Sequence, residues 1–265
     1  MMYNKFKFKL KYFVESEKTM FILYNGLIGN FTGTTHSILF LAFTVITIVS
    51  SYLLGSINSA IIISRGLYHD DVRKHGSGNP GLTNMLRTYG KGAAGLTLLG
   101  DVLKTVISIF ISAIFFGFNY VGGISTGDGM CYIAGLFAVI GHISPIFYRF
   151  KGGKGVLTTA VTALVLSPIV FLILFALFAA IVAVSKYVSL GSVTTAILYP
   201  VMLHGYFTVI FGAGTTPGLA ALASVIIAIL IVWCHRGNLQ RISDRTERKL
   251  SFKKKTAEQD DESEK

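Results

Sequence analysis

Apolar runs of about twenty residues recur between positions 37 and 234, separated by short polar breaks, and that is the length a helix needs to cross the hydrocarbon of a bilayer. Inside lipid every backbone N–H and C=O must find its partner within the chain, so such runs are restricted to helices. Mean hydropathy is +0.62, with 52% hydrophobic and 14% charged residues, which a soluble domain of this length does not support. The sequence therefore predicts an all-α integral membrane protein. Seven transmembrane helices are expected, at roughly 37–64, 92–118, 130–148, 155–166, 168–185, 188–211 and 218–234. The fourth is short. It is divided from the fifth at Ser167-Pro168, because proline breaks a helix and the joined run is too long for one crossing.

Basic residues in short connections remain on the cytoplasmic side. Arg65, Arg73, Lys74, Arg87 and Lys91 lie in the first connection, Arg149, Lys151 and Lys154 in the third, and Lys186 in the fifth, whereas the connections at 119–129, 167–168 and 212–217 have none. This alternation puts the N-terminus outside and the C-terminus in the cytoplasm. Five lysines within the first 20 residues run against that direction, with Met20 a second possible start. The chain divides into an N-terminal extension at 1–36, a seven-helix membrane domain at 37–250 and a disordered cytoplasmic tail at 251–265. The start of the chain lacks the apolar core and cleavage site of a secretory signal. Cys131 and Cys234 lie in separate apolar segments without ligand spacing, so neither a disulfide nor a metal site is expected. Nearly all the basic residues behind the net charge of +11 sit in loops or tails, which favours lipid headgroups and phosphorylated small molecules over nucleic acid. No cofactor is expected. The sequence leaves the oligomeric state open and is compatible with a monomer.

Three polar clusters fall on the cytoplasmic side. The first runs from Ser77 through Gly78, Asn79, Pro80, Gly81 and Asn84 to Arg87. Its glycines allow backbone N–H groups to converge on an anion, and arginine offers phosphate a two-pronged donor. The second joins Gly141-His142 to Lys151-Gly152-Gly153-Lys154-Gly155, which places cations and free N–H groups at a helix N-terminus. Its spacing is not that of a nucleotide-binding P-loop. A plain cytoplasmic anchor would need the lysines but not the glycines. The third runs from His235 through Asn238 to Glu247 and Lys249, and a helical continuation would set His235 and Asn238 on one face. Within the membrane, Asp101 and Lys104 stand three apart, as a structural ion pair or as chemistry. Asn58 and His204 read as helix-to-helix hydrogen-bonding groups, and Phe110, Phe115, Phe171 and Phe175 as lipid or core contacts.

In order and spacing these clusters resemble the three motifs of the bacterial acyl-phosphate:glycerol-3-phosphate acyltransferases, the PlsY family, from about Gly55 to Leu250. The resemblance implies transfer of a fatty acyl group from acyl phosphate to the 1-hydroxyl of glycerol 3-phosphate, giving lysophosphatidic acid and inorganic phosphate at the inner membrane. It implies that Ser77, Arg87 and a lysine of the second motif, Lys151 or Lys154, hold phosphate. His235 and Asn238 would orient glycerol 3-phosphate, Gly152, Gly153 and Gly155 would shape the site, and Glu247 would be structural. The other motif residues, Gly78, Asn79, Gly81, Asn84 and His142, count as substrate-binding by the same resemblance.

Four positions depart from the family pattern: Asn58 where proline is common, Thr105 and Arg245 where glycine is usual, and Leu157 in place of alanine. Arg245 bears on the path of the third motif, since a side chain there resists a positive φ. No aspartate stands five residues after any histidine, as acyl-CoA-dependent acyltransferases would require. An acyl phosphate needs no strong general acid, because phosphate is already a good leaving group. A substrate phosphate oxygen then accepts the hydroxyl proton, with His235 positioning. A transporter of an organic phosphate is the alternative, but it would require midplane residues in both halves of the chain.

Overall fold

The structure, a computed structural model, describes residues 26–117, 126–211 and 216–250. Most of the N-terminal extension and all of the expected disordered tail lie outside those residues. Regular structure among the described residues is helical throughout: α1 (Gly33–Ser56), α2 (Ser59–Tyr68), α3 (Leu82–Phe116), α4 (Thr126–Ile143), α5 (Val156–Leu166), α6 (Pro168–Ser185), α7 (Val188–Phe211) and α8 (Gly218–Ser243). Short 3-10 turns occupy Leu27–Asn30, Val72–Lys74 and Ile146–Tyr148. Six segments among the described residues are long and apolar enough to cross a membrane, with α1 and α2 counted as one. The expected fourth span is α5, whose 11 residues make an apolar helix. At 1.5 Å per residue it is about 16 Å long, against a hydrocarbon thickness of roughly 30 Å.

Several expected boundaries move, each for a local reason. The first helix begins at Gly33, inside the segment assigned to the extension, and the span expected as one helix breaks at Ile57-Asn58. Asn58 causes the break by capping α2: its side-chain oxygen accepts the Ile61 N–H at 3.0 Å. The residues expected as loop up to position 91 include the first turns of α3, which start at Leu82 and kink at Gly90, where φ is 85°. The third span ends at Ile143 rather than 148, because Ser144-Pro145 cannot continue it. The last helix runs nine residues past its expected end, to Ser243.

α4 is the axis of the bundle, with 67% of its crossing segment buried, against 39% or less for each of the others. It approaches α1 backbone to backbone. A Cβ on Gly141 would strike the Tyr52 carbonyl, and one on Gly55 would strike the backbone of Ala138. Apolar side chains gain little by leaving lipid for protein, so close approach through small residues drives this crossing. Tyr52 donates its hydroxyl to the Ser144 carbonyl at 3.0 Å, fixing the end of α4 against α1. Around the axis, Ile109, Tyr132, Val139, Leu203 and Ile227 fill one continuous core.

Candidate active site

The loop of the first motif is strapped shut from within. Gly76 and Gly78 take positive φ, and a Cβ on Gly76 would meet the side-chain oxygen of Asn84. Asn84 donates to the carbonyls of Val72 (3.1 Å) and His75 (3.0 Å) and accepts the Ser77 N–H (3.0 Å), so its amide builds the loop. Asn58 adds a second strap, donating to the Pro80 carbonyl at 3.3 Å. The same side chain thus breaks the helix with a cap and ties down the loop. Two nearby arginines are committed: Arg65 and Arg73 both pair with Asp71, at 2.9 Å and 2.6 Å. The Arg73 hydrogen bond holds the Asp71 carboxyl well below the usual range. Arg87, by contrast, is exposed and has no hydrogen-bond partner among the described residues.

The second motif folds back onto the end of α4. The N–H groups of Gly152 and Gly153 donate to the carbonyls of Ile143 (3.2 Å) and His142 (3.0 Å), satisfying acceptors that the helix end leaves open. A side chain on Gly153 would collide with the His142 ring. Gly155, at φ 78°, then turns the chain into α5. The loop separates the two candidate lysines. Lys151 is exposed, whereas Lys154 is half-buried and donates to the side-chain oxygen of Asn238. Burial pulls the Lys154 ammonium below the usual lysine range, against the opposing charge of Glu247.

Because α8 continues, His235, Asn238 and Arg241 recur every three residues on one side of it. Glu247 is gripped from three directions, by Asn238 (2.6 Å), Ser189 (2.7 Å) and Arg241 (2.8 Å). Burial pushes its carboxyl up, but those hydrogen bonds prevail and hold it below its ordinary value. Arg245 makes the turn at φ 60°, taking the left-handed conformation despite its side chain. The Leu250 N–H then donates to the Lys186 carbonyl at 2.8 Å, which pins the segment to the start of α7. His235 is buried, with Nδ1 2.8 Å from the Ile231 carbonyl.

Asp101 and Lys104 form a buried ion pair at 2.8 Å. Lys104 also donates to the Ile57 carbonyl, freed by the break between α1 and α2, and to Nδ1 of His142, both at 2.9 Å. Ser59 donates to Asp101 at 3.0 Å.

These groups meet at a cavity of about 580 Å³. Ser77, Asn79, Gly81, Asn84 and Arg87 line it from the first motif, and His142, Lys154 and Gly155 from the second. The third contributes His235, Asn238, Arg241 and Glu247, and Asp101 of α3 lines it too. Gly78, Lys104, Lys151, Gly152 and Gly153 do not line it. Its other part is apolar, walled by Ala160 and Ala163 of α5, Phe171 and Phe175 of α6, and Tyr199 of α7. Phe171 and Phe175, expected as lipid or core contacts, thus belong to the cavity wall. Ser189 escaped the sequence reading as well, and Arg241, within the third motif, had no role assigned to it. Arg241 was recoverable from its spacing to Asn238, but nothing marks Ser189 from 58 residues away. Arg87, Lys154 and Arg248 give this space its positive character, while the Asp101 and Glu247 charges are each paired inside the protein. Among the described residues no three His, Cys, Asp or Glu side chains gather as metal ligands would.

A family model described as glycerol-3-phosphate acyltransferase matches residues 45–245. The chain is 41% identical over 207 residues to the glycerol-3-phosphate acyltransferase of Syntrophomonas wolfei, covering 78% of this chain and 96% of that one. It is 40% identical over 210 residues to that of Clostridioides difficile, covering 79% and 97%. A crystal structure of PlsY, an integral membrane glycerol 3-phosphate acyltransferase in its glycerol 3-phosphate form, superposes with a TM-score of 0.66 at 33% identity, covering 78% of this chain and 96% of that one. The lysophosphatidic acid form gives 0.64 at 31%, covering 78% and 95%.

Proposed function

The chain belongs to the glycerol-3-phosphate acyltransferase family, and from that premise we propose that it acylates the 1-hydroxyl of glycerol 3-phosphate from an acyl phosphate, releasing lysophosphatidic acid and inorganic phosphate. The observation that carries this reading is the two-part cavity. Arg87 and Lys154 converge from separate motifs on a polar region that continues into an apolar one between α5, α6 and α7. Two phosphate-bearing reactants, one with a hydrocarbon tail, fit such a space. A solved relative that takes glycerol 3-phosphate and lysophosphatidic acid forms supports the same pairing.

Arg87, Ser77 and Lys154 hold phosphate and offset the repulsion between the two anions. Lys154 is the lysine of the second motif that does so, and Lys151 serves the membrane surface. Asn79, Gly81 and Gly155 line the space, and Gly78, Gly152 and Gly153 shape its loops. Asn84 holds the first loop rather than the substrate. Asn238 and His235 orient glycerol 3-phosphate. With its Nδ1–H donated to the Ile231 carbonyl, His235 keeps the Nε2 lone pair to accept from the 2-hydroxyl of glycerol 3-phosphate, which leaves the proton of the attacking 1-hydroxyl to the phosphate. The hydroxyl oxygen attacks the acyl carbon, the bond from that carbon to the phosphate oxygen breaks, and the hydroxyl proton passes to a substrate phosphate oxygen. Glu247 stays outside this exchange and keeps Asn238 in place.

Seven passes, with the N-terminus outside and the C-terminus cytoplasmic, in the inner membrane, complete this reading. The chain of contacts from Lys154 through Asn238 and Glu247 to Ser189 joins the start of α5 to the start of α7. The short helix α5 and its return arm α6 therefore leave and re-enter one face, the basic one. Purified protein given acyl phosphate and labelled glycerol 3-phosphate tests the reaction. Labelled lysophosphatidic acid with stoichiometric phosphate is expected, and the absence of product from folded protein would overturn it.

A further inference from the structure

The two histidines of the cavity are held in opposite tautomers. Lys104 spends its three ammonium hydrogens on three acceptors: Asp101 Oδ1 at 2.8 Å, the Ile57 carbonyl at 2.9 Å and His142 Nδ1 at 2.9 Å. An ammonium only donates, so His142 Nδ1 is the lone-pair nitrogen and its proton sits on Nε2. His235 is the reverse, because its Nδ1 lies 2.8 Å from a carbonyl, which only accepts, and Nε2 is left with the lone pair. Both side chains are buried and line the cavity, and neither Nε2 has a hydrogen-bond partner among the described residues. The edge of the His142 ring lies over Gly153, next to Lys154, in space that a Cβ would fill.

Resting on the reaction proposed above, we propose that His142 is a catalytic residue whose Nε2–H donates to the carbonyl oxygen of the acyl phosphate, with Lys104 and Asp101 as the positioning residues that fix its tautomer. The phosphoryl oxygens are already anionic and are met by the cations Arg87 and Lys154. The carbonyl oxygen gains its charge only as the glycerol hydroxyl adds to the acyl carbon, and a fixed neutral donor suits an oxygen that is charged only then. When the bond to phosphate breaks, the carbonyl reforms and the hydrogen bond relaxes, so His142 returns unchanged. The opposite tautomer of His235 suits the other reactant, whose 2-hydroxyl it can hold as an acceptor.

Two measurements test this. Nitrogen-15 NMR of histidine-labelled protein, with His142 identified by its loss in H142Q, should show a lone-pair Nδ1 and a protonated Nε2. A protonated Nδ1 would overturn the proposal whatever the kinetics of the His142 variants. In kinetics, H142L should lower kcat on the order of 100-fold, the scale of removing one such donor, with both KM values nearly unchanged. H142Q, whose amide reaches the Nε2 position, should recover about a tenth of wild-type kcat or more. Unchanged kcat in H142L, an effect confined to KM for acyl phosphate, or equal losses in both variants would each overturn it. The double variant D101N/K104M should mix the His142 tautomers and lower kcat, and an unaltered His142 signal would remove the role given to Lys104. Wild-type protein in the same preparations separates the two levels. Without product from wild type the reaction itself falls, whereas active wild type beside an indifferent H142L removes this donor alone.

Discussion

Lys154 donates to the side-chain oxygen of Asn238, 84 residues further along the chain, and so joins the second motif to the third at the cavity. Lys151, three residues earlier, is exposed and does not line that cavity. K154A should therefore lower kcat/KM by on the order of 100-fold or more, the loss of a charged donor to a phosphate oxygen in a partly desolvated site. K151A should remain within a few-fold of wild type. Steady-state rates against both substrates check this, and equal losses in the two variants would contradict the assignment of Lys154.

The ambiguity between those lysines shows where the sequence stops being informative. Periodicity and charge alternation locate helices such as α6 and α7 at their observed ends, because apolar runs and a proline break are local signals. The three motifs are equally legible as strings. The partners that make them a site are not, since Ser189 on Glu247 and Lys104 on His142 are pairings across the bundle. The break at Ile57-Asn58 was hidden for another reason: its residues sit in one apolar run, and only a cap with a long-range second partner, Pro80, turns that run into two helices.

Glu247 gives the third motif a dependence on acid. Its carboxyl is held below the value it has in an unfolded chain. Its contribution to stability is therefore complete above the unfolded carboxylate range and is lost as pH falls through the lower, folded value. The contacts of Glu247 with Asn238, Ser189 and Arg241 should loosen over that window. Limited proteolysis after Arg248 and Lys249 should accelerate on acidification in wild type. In E247Q, cleavage should be faster at neutral pH and nearly flat with pH through the same window. A wild-type profile in E247Q would show that the carboxylate does not tether this segment.

Arg245 occupies a left-handed conformation, at φ 60°, that favours glycine. That conformation costs a side-chain-bearing residue about 1–2 kcal/mol, while glycine loses roughly 0.5–1 kcal/mol more backbone freedom on folding. R245G should thus be neutral to mildly stabilising, by up to about 1 kcal/mol. R245V should be destabilising, since a β-branched residue is least suited to positive φ. Thermal unfolding in one detergent orders the three proteins, and a Tm for R245V at or above that of R245G would refute the strain argument.

The α1–α4 crossing makes the sharpest demand on a single residue. Gly141 lies against the carbonyl of Tyr52 and the backbone of Ser56, so a methyl group there meets main chain on a helix rather than a side chain able to turn aside. Relief requires the two helices to separate, which would pull the Tyr52 hydroxyl from the Ser144 carbonyl and lift the end of α4 that carries His142 and the second motif. Gly92, on α3, has open space where its Cβ would be. Alanine there gains helix propensity with nothing to strike, worth about 0.5–1 kcal/mol. G141A should consequently lower both folded yield and Tm, and its residual folded fraction should be poorly active because the loop bearing Lys154 is displaced. G92A should match or exceed wild-type stability at full activity. Size-exclusion profiles and thermal unfolding of the pair decide the matter, and a G141A protein as stable as G92A would mean that the bundle does not depend on this close approach.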